Sequence, residues 1–235
     1  MKRVAVFFSV FILNMTTACL SLHKHDAGLN QLTTAEKKAD FRILFDGKSL
    51  AGWRKYKKPD APKQGWVVEN GCLKLLKNGG GGDIITTEKF TDYDLRWEWK
   101  IPAMANNGLK YLVSENRAAP GPEYQMIDDA VKEPPHRSTA TLYDILPKNK
   151  KSLTRIGEWN HSRIVVQGNS VEHWLNGEKV LAYELGSPGL KAAIAQSKFK
   201  NIPDFGEKIS GHILLTDHHD EVLFRNIKLR NLTNQ

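Results

Sequence analysis

The chain has 235 residues, 34 lysines and arginines against 26 aspartates and glutamates, a formal net charge of +8 and 2 cysteines. This length suits one domain with a generous core, and so few thiols exclude a disulfide-built scaffold. The positive balance is spread over Lys2, Arg3 and loop clusters such as Lys55 to Lys58 and Lys148 to Lys151, without a basic helix or an aromatic-basic strand, so no nucleic-acid partner is expected.

Met1-Lys2-Arg3 followed by the apolar run Val4 to Leu13 has the charged start and short greasy stretch of an export signal, too short to span a bilayer. Met15-Thr16-Thr17-Ala18-Cys19 follows, and its small residues before a cysteine resemble a bacterial lipoprotein processing site, with Thr16 where a larger aliphatic is commoner. Residues 1–19 are therefore expected to be a lipoprotein-type signal. Cys19 is the expected lipidated residue, tethering the protein to a membrane surface of the bacterial cell envelope. Ordinary cleavage nearby, giving a free periplasmic protein, is the alternative. A polar tether over residues 20–40 and a single domain over residues 41–235 complete the expected organisation. The other thiol, Cys72, has no flanking base to activate it and reads as a small buried hydrophobe.

Alternation dominates the domain. Tyr93, Leu95, Trp97 and Trp99 share one face of a strand, and Asp94, Arg96, Glu98 and Lys100 share the other. Further strands are expected at residues 108–113, 159–167, 170–175, 212–216 and 221–229. Gly168-Asn169 and Asn176-Gly177 separate successive strands by two residues, which predicts tight hairpins. Residues 190–197 alone read as helical, and Gly79 to Gly82 reads as a flexible loop because no Lys-Ser/Thr or following helix makes it a phosphate cradle. Many short strands and few helices imply an all-β, antiparallel two-sheet sandwich or jelly roll.

Glu123-Tyr124-Gln125-Met126-Ile127-Asp128-Asp129 is the most informative segment. In a strand, Glu123 and Gln125 point one way while Tyr124 and Met126 point into the core. Asp128 falls on the apolar parity unless a β-bulge at Met126-Ile127 returns it to the face of Glu123, and bulges favour active sites. Two carboxylates on one face suit glycoside chemistry; ordinary surface acids on an edge strand are the bland reading. His173 shares parity with Val171 and Leu175, where a histidine is more often a packed, hydrogen-bonded core residue than a catalyst. Trp174 lies on the opposite parity and is the tryptophan best placed to stack on a sugar ring.

Six segments in order resemble the 3-keto-disaccharide hydrolase domain family, a concanavalin-like lectin/glucanase sandwich. They are Phe45-Asp46-Gly47 through Gly52-Trp53, Asn106-Asn107-Gly108, Glu123 to Asp128, Gly157-Glu158-Trp159-Asn160, His173-Trp174-Leu175-Asn176-Gly177, and Leu215-Thr216-Asp217-His218 with Phe224-Arg225-Asn226-Ile227. Thr216 stands where the family usually has Gln, and His219 where it has Gly. The Glu123 strand also resembles the E-x-D-x-x-E strand of laminarinase-type glucanases, with Gln125 for the middle acid and Asp128 for the last.

The resemblance implies a hydrolase acting on 3-keto-glycosides. The ketone acidifies the C2 proton, a base removes it, the group on C1 departs, and water adds to the enone. Glu123 and Asp128 are the expected acid and base. Gln125, Lys110, Asn107, His173, Trp174, His218 and Arg225 are the expected substrate contacts, with Lys110 or Arg225 offsetting enolate charge. No cofactor is required by these residues. A divalent ion held by Glu123, Asp128 and a histidine would act as a Lewis acid, although no close-spaced ligand motif marks one. A sugar 3-oxidoreductase acting earlier would supply the keto sugar. A lectin-like module without turnover, and a conventional retaining glucanase with carboxyls about 5 Å apart, remain alternatives.

Overall fold

The alternation at residues 93–100 sets the two faces of the strand: Tyr93, Leu95, Trp97 and Trp99 are almost completely buried between two sheets, while Asp94 and Glu98 on the other face are covered by their arginine partners. The computed structural model describes residues 28–118 and 120–232; the signal and Cys19 lie outside the described residues. Five short strands lead: β1 (Arg42–Ile43), β2 (Trp53–Lys55), β3 (Trp66–Glu69), β4 (Cys72–Leu75) and β5 (Ile84–Thr86). The central strands are β6 (Tyr93–Lys100), β7 (Asn106–Val113) and β8 (Glu123–Ile127). After a long connection come β9 (Asn160–Gln167), β10 (Ser170–Leu175) and β11 (Glu178–Glu184), then β12 (His212–Leu215) and β13 (Val222–Asn231). Both two-residue turns form where expected, with Gly168 (φ 55°) and Gly177 (φ 87°) in the left-handed region that glycine tolerates.

An eight-stranded sheet runs β11-β10-β9-β6-β13-β4-β3 with β1 paired to β13, and a five-stranded sheet runs β2-β5-β12-β7-β8. Every pairing is antiparallel. The fold is thus the expected all-β sandwich. Inward-facing aromatics of both sheets meet at its centre, where Trp97 and Tyr124 pack edge to face with ring centroids 4.9 Å apart. A polar relay crosses the same interior: Trp99 Nε1 donates to Ser162 Oγ (2.8 Å), Ser162 Oγ bonds Tyr124 Oη (2.8 Å), and Tyr124 donates to the Trp174 carbonyl (3.0 Å). The Ser162 and Tyr124 hydroxyls are thereby satisfied, which fixes how one sheet registers on the other.

The helix expected at 190–197 spans Pro188–Ala195, with Ser187 capping the Leu190 amide and Pro at the first turn. Cys72 is buried in β4, and burial pushes its thiol pKa up. Residues 28–40, part of the stretch expected as a tether, are docked on the eight-stranded sheet. Asn30 and Asn226 exchange backbone-to-side-chain hydrogen bonds (2.7 and 2.8 Å). Helix α1 (Thr34–Lys38), closed by a Thr33–Glu36 capping box, places Glu36 2.5 Å from Lys228 Nζ.

Candidate active site

The chemistry gathers on the outer face of the five-stranded sheet. Along β8, Tyr124 and Met126 enter the core while Glu123 and Gln125 line a cleft of about 260 Å³. β7 faces them in regular register, Lys110 opposite Glu123 and Gly108 opposite Gln125. Lys110 Nζ stands 3.7 Å from Glu123 Oε2. Gln125 Nε2 donates to Asn106 Oδ1 (3.0 Å), so the two amides orient each other on the cleft floor. Gly108 is required by close approach: a β-carbon there would lie 2.1 Å from Glu123 Oε1. The carboxylate occupies the space that this glycine leaves empty.

Glu123 is nearly covered, its side chain 12% exposed. Burial raises its pKa above the usual carboxylate value, and Lys110, Lys198 and His218 pull against that rise without cancelling it. Lys198 and Tyr143 come from the long connections flanking the sheet and close the cleft from one side. The Lys198 ammonium lies 4.1 Å from the Tyr143 ring centroid, and desolvation lowers its pKa. At the other rim a clasp joins β5 to the end of β12. The Asp217 amide donates to Asp83 Oδ1 (2.8 Å), and the Gly82 amide donates to Asp217 Oδ2 (2.8 Å). That clasp positions the exposed His218, which also lines the cleft.

Of the residues expected at the site, Glu123, Gln125, Lys110 and His218 come together. Asp128 does not join them. The β7–β8 ladder carries no register shift, so the expected bulge at Met126-Ile127 is absent and Asp128 keeps the parity of Tyr124 and Met126. Its carboxylate instead accepts from the Met104 amide (2.8 Å) and the Ala130 amide (2.9 Å), organising the turn after β8. Asn107 is also turned away. It is buried against β12, donating to the Thr216 carbonyl (3.1 Å), while its neighbour Asn106 faces the cleft. Trp174 and Arg225 sit on the eight-stranded sheet's outer face, where Arg225 Nε donates to Glu98 Oε2 (2.7 Å). Asp83, Asn106, Tyr143, Lys198 and Thr216 are cleft residues that sequence reasoning missed as contacts. Parity would have chosen Asn106 over Asn107; nothing periodic marks Tyr143 or Lys198.

His173 is a core residue with no exposure. The Ala140 carbonyl can only accept, so His173 Nδ1 carries the proton (3.0 Å) and Nε2 accepts from Tyr111 Oη (2.8 Å). Burial lowers its pKa from 6.5 to about 4. The unfolded chain therefore takes up this proton first on acidification. The stability contribution is complete above 6.5 and is lost as pH falls towards 4. Its loss is worth up to about 3 kcal/mol. Urea midpoints measured across that window should fall less steeply in His173→Gln than in the parent; equal slopes would assign the acid sensitivity to other groups.

Among the described residues no group of three or more His, Cys, Asp or Glu is arranged to hold a metal ion, and Glu123, Asp128 and a histidine are not assembled as one ligand set.

These features define an antiparallel two-sheet β-sandwich with a polar cleft on its smaller sheet. The chain belongs to the 3-keto-alpha-glucoside-1,2-lyase-like domain family, whose model matches residues 40–230. It is 32% identical over 223 residues to a 3-keto-disaccharide hydrolase of Bacteroides thetaiotaomicron, the match spanning 80% of this chain and 77% of that protein. A crystal structure of a candidate glycosyl hydrolase from Parabacteroides distasonis superposes with a TM-score of 0.78 at 33% identity, covering 87% of this chain and all of that one. A second from the same organism, at 24% identity and a TM-score of 0.63, shares the fold.

Proposed function

We propose that this carbohydrate hydrolase cleaves 3-keto-glycosides by elimination and hydration, with Glu123 as the base. The family and its hydrolase relative support the class of reaction. The observation that carries the mechanism is one desolvated carboxylate with raised proton affinity, set among Lys110, Lys198 and His218, while Asp128 is engaged elsewhere. A desolvated base flanked by cations, with Asp83 and Asp217 of the same cleft tied to backbone amides, suits proton abstraction beside a ketone better than displacement by paired carboxylates.

In this reading Glu123 takes the C2 proton and the C–H electron pair forms the enolate. Lys110 and Lys198 stabilise the oxygen at C3. The enolate then collapses, the C1–O bond breaks with its electron pair on the departing oxygen, and His218 at the open rim supplies the proton that oxygen needs. Water then adds to the enone at C1 and gives its proton to His218, while Glu123 returns its proton to C2, so both groups are reset and the sum is hydrolysis without any redox change. Gln125 and Asn106 hold sugar hydroxyls. An oxidoreductase acting at C3 would have to make the substrate beforehand.

The test is incubation with a 3-keto-disaccharide, its unoxidised parent, and the keto sugar deuterated at C2, each with and without chelator. Cleavage of the keto form alone is expected, with slower turnover or deuterium washout into water. Equal cleavage of the parent with full retention of deuterium would point to direct attack at C1 and overturn the reading.

A further inference from the structure

Tyr143 and Lys198 reach the cleft from two different connections, and neither lies in a strand. A buried side chain joins the two. Asp144 Oδ2 accepts from the Lys198 backbone amide (2.8 Å), and Asp144 Oδ1 accepts from Arg137 Nε (2.7 Å). We propose that Asp144 is a positioning residue for the cleavage reaction, acting through Lys198: it sets the ammonium of that lysine against the substrate oxygen that gains charge. This role rests on the elimination reading of the cleft, in which Lys198 steadies the oxygen at C3.

Three observations lead there. The segment before Asp144 is clipped to the base itself: the Tyr143 amide donates to the Glu123 carbonyl (3.0 Å), the Ala140 amide donates to the Gln125 carbonyl (2.8 Å), and Leu142 packs in the core. Asp144 is thereby held at a fixed place relative to Glu123. The segment around Lys198 has no such ladder. Ser197 Oγ accepts from the Phe199 amide (3.0 Å), and Phe199 stacks on Phe205 with ring centroids 4.4 Å apart. Between them, the Lys198 amide has Asp144 as its only partner among the described residues.

Asp144 itself serves this link rather than solvent or substrate. Its side chain is 4% exposed yet does not line the cleft, and its φ of 64° makes a left-handed turn that aspartate tolerates better than most residues. Burial works to raise its pKa, and the Lys198 amide and Arg137 outweigh that and hold it below the usual carboxylate value, so the group grips while charged. The same turn supports the lysine side chain, since Lys198 Nζ stands over the ring of Tyr143, the residue next to Asp144. Without the tie the cation would still be present but free to move. An electrostatic stabiliser works by being fixed before charge develops, and a misplacement of about 1 Å can cost about 10²-fold in rate.

Turnover of a 3-keto-disaccharide should be measured for the full chain, for Asp144→Asn, for Lys198→Met and for the two combined. Asp144→Asn keeps the size and the left-handed turn, but its one carbonyl oxygen cannot serve both the Lys198 amide and Arg137. Its kcat should fall about tenfold with KM within about twofold, because the cation acts only as charge develops. In the Lys198→Met background the same change should cost less than about twofold, as expected of two groups acting as one. The pH profile gives a readout that a merely structural role would not move. Desolvation already lowers the Lys198 pKa, and Glu123 and Asp144 oppose it while Lys110 and Arg137 add to it, so losing one carboxylate should shift the basic limb of kcat/KM to lower pH. That limb should be absent in Lys198→Met. Asp144→Glu, which keeps the charge but displaces its oxygens by one methylene, should also lose kcat and serves if Asp144→Asn does not fold. An unchanged kcat, or a loss of the same size with and without Lys198, would overturn the positioning role. Deuterium washout from C2 in the unaltered protein decides the elimination reading by itself, so the two fail separately.

Discussion

Glu123→Gln is expected to leave the fold and sugar binding in place and to lower turnover of a 3-keto-glycoside by about 10²–10⁴-fold. The amide keeps the shape that fits over Gly108, where a β-carbon would come within 2.1 Å of Oε1, but it cannot accept the C2 proton. Binding should survive because Gln125, Asn106 and Lys110 remain in position. The rate profile carries a second sign of the same role. Since burial raises the Glu123 pKa, the acid limb of kcat/KM should lie above the ordinary carboxylate range and vanish in the variant. Asp128→Asn is the natural control. Its carboxylate serves the Met104 and Ala130 amides, so its loss should act on stability before turnover. A variant at Glu123 with near-normal turnover would remove that residue from the reaction.

The largest stability effect is expected at Asp94, outside the cleft. Its carboxylate has no exposure and faces Arg96, Arg163 and Arg230, with Arg163 Nε 2.7 Å from Oδ1. Burial works to raise its pKa, and hydrogen bonds from Arg163 and Arg96 outweigh that and hold it below the usual carboxylate value. Asp94→Ala leaves three guanidinium groups converging on an empty position. Breaking a buried pair costs ~3–5 kcal/mol, and the lower end applies because these arginines are 23–36% exposed and can turn to water. A loss of about 3 kcal/mol in urea unfolding is therefore expected. A loss below about 1 kcal/mol would mean that solvent, not Asp94, holds the arginines apart.

How far the sequence reveals this protein depends on periodicity. Alternation at residues 93–100 and the two-residue turns at Gly168 and Asn176 are short-range signals, and both appear in the fold as expected. The same parity places Glu123 and Gln125 together. It also argued against Asp128, and only an assumed bulge overrode it; the regular β7–β8 ladder sides with the parity. Parity does not say which sheet a strand joins. Arg225 and Trp174 do point outward, but from the far sheet, a fact set by pairings such as Phe224 with Trp99 that are distant in sequence. Tyr143 and Lys198 sit in irregular connections, where no repeat announces which side chain returns to the cleft.

The cleft is thus assembled from two kinds of part. Glu123, Gln125 and Lys110 are set on hydrogen-bonded strands, while Tyr143 and Lys198 arrive on the connections that follow β8 and β11. Strand positions tolerate little change, because a one-residue slip would send Glu123 into the core. Connections accept insertion and replacement far more readily. The two kinds of part are therefore open to change separately: Glu123, Gln125 and Lys110 are tied to the register of the sheet, while the connections around Tyr143 and Lys198 can be lengthened or replaced without disturbing it. Relatives that differ in the sugar or aglycon they accept should diverge first in those two connections, outside Lys198, while keeping the glycine, the acid and the lysine of the sheet.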